Sequence, residues 1–167
     1  MKLITLSSEG TITLALMLIK NAEGFSDVPY QDSLGNWTIG YGFNMSLPEY
    51  HGLKHINEVE ADSLLKVKIV EIYNNEKNAY RLFSFTYSHV INATLIDMSY
   101  NLGIAGLESF DSFLQYIKFG MNEEAVADLT NTLWYSQVKE RAVRNCLNYL
   151  CRELPKTPLR FLLTLIQ

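Results

Sequence analysis

The 167-residue sequence lacks the features that mark several large classes of protein. It has only two cysteines and three histidines, too few for a disulfide-rich secreted scaffold or a histidine-rich metal site. Its formal net charge of −4 supplies no global positive field, so nucleic acid is not an expected partner. With 48% hydrophobic and 19% charged residues, the composition is that of one folded domain with a sizeable core.

Long apolar runs are also missing. The most apolar stretch, residues 12–19, is far shorter than the roughly 20 residues that a bilayer span needs. It follows Lys2 as the core of a signal peptide would, but no small-x-small cleavage site ends it. We therefore expect no signal peptide and no stable membrane insertion. Cys146 and Cys151 would have Cα atoms roughly 8–9 Å apart on one helix, so both are expected to be reduced.

The pattern along the chain predicts helices around one small sheet. A first helix, with an N-cap at residues 7–9, carries apolar residues at 12, 16 and 19 and ends at Glu23, where Gly24 stops it. Residues 28–41 favour a β-hairpin around a turn at 32–36, with room for a short third strand, and a loop follows over 43–55. Further helices are predicted over residues 57–78, 86–102, 109–119, 122–133, 137–151 and 157–165.

These elements predict the α+β fold class in a single domain over residues 1–167. A β-rich lobe takes residues 24–56, and a long connecting helix takes residues 57–78. A larger, all-helical lobe takes residues 1–23 and 79–167. A ligand is expected in the cleft between the two lobes.

Several kinds of catalytic site have no motif in the sequence. His51 and His55 lie four residues apart without a carboxylate motif beside them, which favours exposed histidines over a zinc pair. No phosphate-binding or serine-hydrolase motif is present, and Gly40-Tyr41-Gly42 lacks the third glycine of a nucleotide fingerprint. We therefore expect neither a metal ion nor a cofactor.

Two carboxylates remain as candidates for acid–base chemistry. Glu23 ends a helix and lies on its apolar stripe, where the helix dipole and desolvation both favour the protonated form. Asp32 lies in the hairpin turn, where water and nearby amides favour the ionised form. Two carboxyl groups whose environments push their pKa values apart suit glycosidic cleavage. Either residue at such a position is also common in a purely structural role.

The strand after the turn adds a third candidate. Thr38 and Gly40 alternate with Trp37, Ile39 and Tyr41, so one face offers a hydroxyl and bare backbone. Such a face lets a polar ligand approach closely and gives a hydroxyl that can position a water molecule. The alternative is that the three bulky residues simply fill a core.

The segment from Glu23 to Gly42 resembles the signature of the phage T4-type lysozymes, the endolysin muramidases of glycoside hydrolase family 24. The resemblance rests on the order and spacing of Glu23-Gly24-Phe25, then Pro29-Tyr30-Gln31-Asp32-Ser33-Leu34-Gly35-Asn36-Trp37-Thr38-Ile39-Gly40-Tyr41-Gly42. It continues through residues 97–103 (DMSYNLG), Phe110, residues 123–125, Trp134-Tyr135, Arg141 and Arg144. The similarity therefore covers nearly the whole chain in one order.

The resemblance implies a lysozyme-like fold that hydrolyses the β-1,4 bond between N-acetylmuramic acid and N-acetylglucosamine in peptidoglycan, with inversion and without a cofactor. By position, Glu23 would be the general acid, Asp32 would assist the attacking water, and Thr38 would help to hold it. Substrate contacts would fall at or near Asn44, Tyr100, Asn101, Phe113, Asp128 and Arg141. For most of these a core aromatic or a solvated polar residue is an equal alternative, and Arg141 could instead pair with Glu23.

Partners and location follow from the same resemblance. The chain would be a monomer that binds peptidoglycan glycan strands. It would collect in the host bacterial cytoplasm and use a holin-type partner to reach the periplasmic cell wall.

Two departures and two alternatives remain open. Phe43 and Lys68 occupy the positions at which such lysozymes commonly have a histidine and an aspartate that pair. Because both partners are replaced together, no unpaired charge is left behind, and the fold is expected to accept the apolar Phe43. A lytic transglycosylase would need the acid but not the pair formed by Asp32 and Thr38. A non-enzymatic wall-binding module would need none of the three.

Overall fold

The structure is a computed structural model that describes residues 6–75, 82–84 and 87–150. In this part of the chain the helices are α1 (Leu6–Glu23), α2 (Glu58–Asn74), α3 (His89–Leu102), α4 (Ile104–Glu108), α5 (Asp111–Lys118), α6 (Asn122–Thr130), α7 (Leu133–Val138) and α8 (Glu140–Leu150). The strands are β1 (Ser26–Gln31), β2 (Trp37–Gly40) and β3 (Phe43–Asn44). The predicted α+β class, with a small sheet beside a larger set of helices, is confirmed.

The sheet is antiparallel in the order β1-β2-β3. Tyr30 pairs with Thr38 across the hairpin, and Ile39 pairs with Phe43. The short third strand is therefore confirmed at residues 43–44, inside the segment predicted as a loop. The turn between β1 and β2 lies at residues 32–36, as the turn-forming residues predict.

The end of α1 delivers Glu23 to the boundary between helix and sheet. Gly24 adopts a φ of 69°, which an L side chain disfavours, and its N–H donates to the carbonyl of Lys20 at 3.1 Å. The predicted stop at Gly24 is confirmed. The predicted start is wrong, because the helix is already formed at Leu6 and residues 7–9 lie within it.

The connecting helix α2 begins at the predicted capping box. Asn57 Oδ1 accepts from the Glu60 N–H at 2.9 Å, while the Asn57 N–H donates to Glu60 Oε2 at 3.1 Å. The helix ends at Asn74, earlier than the predicted residue 78. Residues 76–81 lie outside the described part of the chain.

Capping side chains set the boundaries of the helical lobe. Ser88 accepts from the Ile91 N–H, so α3 begins at His89 rather than at residue 86. The helix predicted over residues 122–133 ends at Thr130. Thr132 accepts from the Tyr135 N–H and starts α7, which lies mostly between the helices predicted over 122–133 and 137–151. The short α4 lies in the glycine-containing segment predicted as a break. The helix predicted over 157–165 lies outside the described residues.

One continuous hydrophobic core joins the helices to the sheet. The central helix α3 is buried along almost its whole length. In the β lobe the Phe43 ring is buried and stacks on Tyr50, with ring centroids 4.8 Å apart. Phe43 is therefore a core residue, as the expected acceptance of an apolar side chain there requires. Cys146 is buried and free, as predicted, while Cys151 lies outside the described residues.

Polar contacts tie the two lobes together. Lys20 of α1 reaches Asp62 of α2 at 2.7 Å and Glu58 at 3.2 Å. The same ammonium lies 5.1 Å from the ring centroid of the buried Tyr41. The Tyr100 hydroxyl of α3 donates to the Tyr41 carbonyl at 2.8 Å. The chain that follows β2 is thus held against the helical lobe beside the end of α1.

Candidate active site

The Glu23 carboxylate is held by an arginine from the far end of the sequence. Arg141 Nη1 of α8 donates to Glu23 Oε1 at 2.6 Å. The Glu23 side chain is 24% exposed and that of Arg141 is 8% exposed. The expected pairing is confirmed, but the apolar surroundings predicted for Glu23 are not what the structure shows, since a guanidinium contacts it directly.

Behind Arg141 lies Asp97, a fully buried carboxylate of α3. Arg141 Nη2 donates to Asp97 Oδ1 at 2.9 Å, and Arg141 Nε donates to Asp97 Oδ2 at 3.1 Å. Asn145 Nδ2 donates to the same Oδ2 at 3.0 Å. Two carboxylates therefore share one guanidinium, which is the bidentate geometry that arginine favours.

The charges of these groups act on one another because little water lies between them. Burial alone lowers the pKa of Arg141, but Asp97 and Glu23 raise it above its ordinary value. The neighbouring Arg144 lies 3.9 Å from Asp97 Oδ2, and burial lowers its pKa despite that carboxylate. Arg141 is therefore charged at any physiological pH.

Gly42 brings backbone close to the other oxygen of Glu23. Its φ is 83°, and a Cβ atom added there would lie 3.2 Å from Glu23 Oε2. A side chain would crowd the carboxylate as well as strain the backbone. Gly42 therefore allows the backbone to pass close to the Glu23 carboxylate.

Asp32 is the hub of the hairpin turn. Its Oδ1 accepts from the N–H groups of Leu34 at 2.9 Å and Asn36 at 2.8 Å, and its Oδ2 accepts from Asn36 Nδ2 at 3.0 Å. The Asn36 side chain, followed by the turn amides, lowers the pKa of Asp32 below its ordinary value. The predicted ionised state of Asp32 is confirmed.

Thr38 lies on β2 and is linked to the same turn by a hydrogen bond to Asn36. Its hydroxyl donates to the Asn36 carbonyl at 3.1 Å, which leaves the oxygen lone pairs as acceptors. The side chain is buried. Ile39 and Tyr41 are buried too, but Trp37 is 56% exposed, so the alternative in which all three bulky residues fill the core holds only for two of them.

Tyr30 connects the two candidate catalytic carboxylates. Burial raises the pKa of its phenol, and the negative charges of Glu23 and Asp32 raise it further. Thr38 pairs with Tyr30 across the hairpin, and Tyr30 lies two residues before Asp32. Gly42, which follows β2, lies beside Glu23 Oε2. The three predicted catalytic residues therefore lie around one hairpin.

Three of the predicted substrate contacts have partners within the protein. Tyr100 is half-buried near Glu23, since burial and then the Glu23 charge raise the pKa of its phenol well above the ordinary value. Asn101 Oδ1 accepts from Trp134 Nε1 at 2.8 Å. Asn44 is exposed on β3, with Oδ1 accepting from the Ser46 N–H. Asp128 lies partly exposed on α6.

Two predicted contacts need correction. Phe113 is fully buried and packs edge-on against Tyr149 at 5.2 Å, so it has no surface to offer a sugar. One face of its helix is apolar and packs against the core, and Phe113 lies on that face. Arg141 is also buried, with its guanidinium occupied by Glu23 and Asp97. Arg141 therefore binds Glu23 within the protein and is not exposed for contact with a sugar.

The family comparison covers all of these residues. The phage lysozyme family model matches residues 20–147. The chain belongs to the phage lysozyme family. As a T4-type phage lysozyme it is a glycoside hydrolase, an endolysin that acts on peptidoglycan. A search of curated proteins gave no match. In the described part of the chain, no helix combines the length and apolarity required to cross a bilayer.

Proposed function

We propose that this phage lysozyme hydrolyses the β-1,4 bond between N-acetylmuramic acid and N-acetylglucosamine, with inversion at the anomeric carbon. Glu23 is the general acid, Asp32 assists the attacking water, and Thr38 helps to hold that water. No cofactor takes part. The glycoside and one water are the only reactants: the proton that Glu23 gives to the leaving oxygen is balanced by the proton that the attacking water loses.

The surroundings of Glu23 suit a proton donor to the leaving oxygen. Oε1 is committed to Arg141 Nη1, which leaves Oε2 as the oxygen free to carry a proton toward the glycosidic bond. Gly42 carries no side chain that would crowd Oε2. A sugar bound there excludes water from a carboxyl that is already three-quarters covered, and desolvation favours the protonated form.

The surroundings of Asp32 suit the opposite task. Three hydrogen bonds from the turn keep this carboxylate ionised, so it can polarise a water or stabilise positive charge at the anomeric carbon. Thr38 lies on β2 just after this turn and retains acceptor capacity for a water proton. One hairpin thus supplies both groups that direct the water.

One observation carries the proposal: Arg141 holds the Glu23 carboxyl beside Gly42, and the hairpin turn that precedes this glycine holds the Asp32 carboxylate through three hydrogen bonds. Two carboxyl groups in unlike environments within reach of one ligand are the recurring requirement of glycosidases.

The test measures clearing of purified peptidoglycan sacculi by matched variants. Glu23→Gln and Asp32→Asn should each lose about 10²–10⁴-fold in rate, the usual contribution of one acid–base group. The controls Glu9→Gln and Asp27→Asn remove exposed carboxylates from the same helix and the same lobe, and should keep wild-type rates. Equal clearing by all five proteins would overturn the roles given to Glu23 and Asp32, and no clearing by any of them would favour a wall-binding role.

The reducing ends of the product separate the two enzymatic alternatives. A hydrolase releases N-acetylmuramic acid with a free anomeric hydroxyl, initially of inverted configuration. A lytic transglycosylase releases 1,6-anhydro sugars without using water. Anhydro products would therefore exclude the roles given to Asp32 and Thr38.

We also propose that the lysozyme works as a monomer on glycan strands, without nucleic acid or membrane insertion. It would collect in the host cytoplasm and reach the periplasmic wall with a holin-type partner. Gel filtration and lysis of a host with and without such a partner test these points.

A further inference from the structure

A fully buried carboxylate beside the acid has no task in the reaction described above. Asp97 has no exposed surface, and burial of a charge is costly unless it is paired and hydrogen-bonded. Its partners are Arg141 and Asn145, and Arg144 lies 3.9 Å away. An aspartate kept at such a place calls for an explanation.

Geometry gives the first half of that explanation. Three oxygen atoms of Asp97 accept from Arg141: Oδ1, Oδ2 and the backbone carbonyl. These bonds engage Nε and Nη2 and fix the plane of the guanidinium. Nη1 then has one direction in which to point, and it meets Glu23 Oε1 at 2.6 Å. Asp97 therefore aims the cation that holds the acid.

Charge gives the second half. An arginine beside a carboxyl favours the ionised form, which opposes a proton donor. The negative charge of Asp97 offsets the positive charge of Arg141, so Glu23 does not face an uncompensated cation. The fold thus combines a tight hydrogen bond to Glu23 with a nearly balanced local charge.

Other groups around Glu23 do not provide this balance. From α8 it faces Arg141 and, behind Asp97, Arg144. From α3 and β1 the phenols of Tyr100 and Tyr30 face it, and burial raises the pKa of both. These phenols stay neutral below about pH 10, the ordinary tyrosine value. Asp32 acts on Tyr30 from the turn, and Lys20 on the same helix is paired with Asp62.

We propose that Asp97 is a positioning residue of the lysozyme reaction, which acts through Arg141 to orient Glu23 and to keep its proton available. This inference rests on the proposed role of Glu23 as the acid.

Asp97→Asn separates charge from geometry. The amide keeps one oxygen, and the backbone carbonyl is unchanged, so most of the hold on Arg141 persists. The negative charge is lost, and Arg141 then acts on Glu23 alone. The alkaline limb of the pH–rate profile should move to lower pH by roughly 0.5–1 unit, because the acid loses its proton sooner.

The experiment follows initial clearing of sacculi at limiting substrate from pH 4 to pH 9 for wild type, Asp97→Asn and Leu129→Ala. Leu129 is fully buried in the same lobe, so its truncation destabilises the fold without altering any charge. A limb shift in Asp97→Asn that is absent from Leu129→Ala supports the proposal. Coincident limbs in all three proteins would reduce Asp97 to a structural residue and overturn it.

A second variant covers the case in which Asp97→Asn does not fold. Asp97→Asn combined with Arg141→Gln leaves no orphan charge in the core. Because one positive and one negative charge are removed together, the alkaline limb should stay close to that of wild type. A limb displaced well to higher pH would show that Asp97 does not offset the charge of Arg141, and would overturn the proposal. Glu23→Gln is assayed alongside: wild-type clearing by that variant would overturn the proposed function itself, a result distinct from any limb position.

Discussion

Replacing Phe43 with histidine should make the β lobe sensitive to acid. In this chain the Phe43 ring is buried, stacked on Tyr50 at 4.8 Å and edge-on to Tyr41 at 6.4 Å. It also packs against Gly40, where an added Cβ would lie 2.6 Å from the ring. An imidazole placed there meets aromatic surface on several sides, which disfavours its protonated form.

The size of the effect follows from proton linkage. In the unfolded chain the histidine has a pKa of about 6.5, whereas burial in this cluster lowers it in the folded state. The unfolded state then binds the extra proton, so stability falls as pH falls. Each pH unit below 6.5 costs about 1.4 kcal/mol, which gives roughly 3 kcal/mol by pH 4 if the folded imidazole stays neutral.

Thermal melts at pH 7, 5.5 and 4 provide the assay, with Phe43→Leu as the apolar control. For a domain of this size 1 kcal/mol corresponds to about 2–4 °C, so Phe43→His should lose about 6–12 °C more than Phe43→Leu between pH 7 and 4. Parallel curves for the two variants would refute the reasoning, since they would show that the site accepts a charge.

Adding Lys68→Asp tests the partner implied by the family resemblance. Lys68 pairs with Glu71 at 3.7 Å on α2. If position 68 is the aspartate site of related lysozymes, an aspartate there should pair with the protonated histidine and restore much of the lost acid stability. An unchanged acid loss in the double variant would show that the correspondence of position 68 is wrong.

Two further predictions concern the site itself. Gly42→Ala should lower activity by about tenfold or more, because strain and the contact with Glu23 Oε2 displace the acid, whereas Gly52→Ala has the same positive φ with open space and should affect only the melting temperature. Asn36→Ala removes the largest contribution that lowers the pKa of Asp32, so the acidic limb of the pH–rate profile should move to higher pH; a limb unchanged from wild type would contradict the role of this side chain.

Local signals in the sequence were sufficient for the elements that carry the catalytic candidates. The glycine after Glu23, the capping box at Asn57 and the turn around Asp32 each depend on residues within four positions of one another. Such short-range chemistry is readable without tertiary structure. The helix boundaries near residues 88 and 132 were missed because capping by a single serine or threonine leaves a weak pattern.

The network behind the acid could not be derived in the same way. Arg141 lies 118 positions from Glu23 and 44 from Asp97, and only the packing of α8 against α3, which itself packs against α1, brings them together. One signal was present: an aspartate inside a helix with no other acidic residue and no lysine or arginine, if buried, needs a cation from elsewhere in the chain. Phe113 failed for the related reason that an aromatic residue on a short helix can face either the ligand or the core.

The helical lobe therefore holds Glu23, the proposed general acid, and the sheet holds Asp32, the proposed second carboxylate. Arg141 and Asp97 orient Glu23 from α8 and α3, while the turn alone orients Asp32. The contact from Tyr100 to the Tyr41 carbonyl and the approach of the Lys20 ammonium to the Tyr41 ring join the two halves. A change that loosens these links should leave the ionisation of each carboxylate intact and lower the rate, because catalysis depends on holding both groups about one sugar at once.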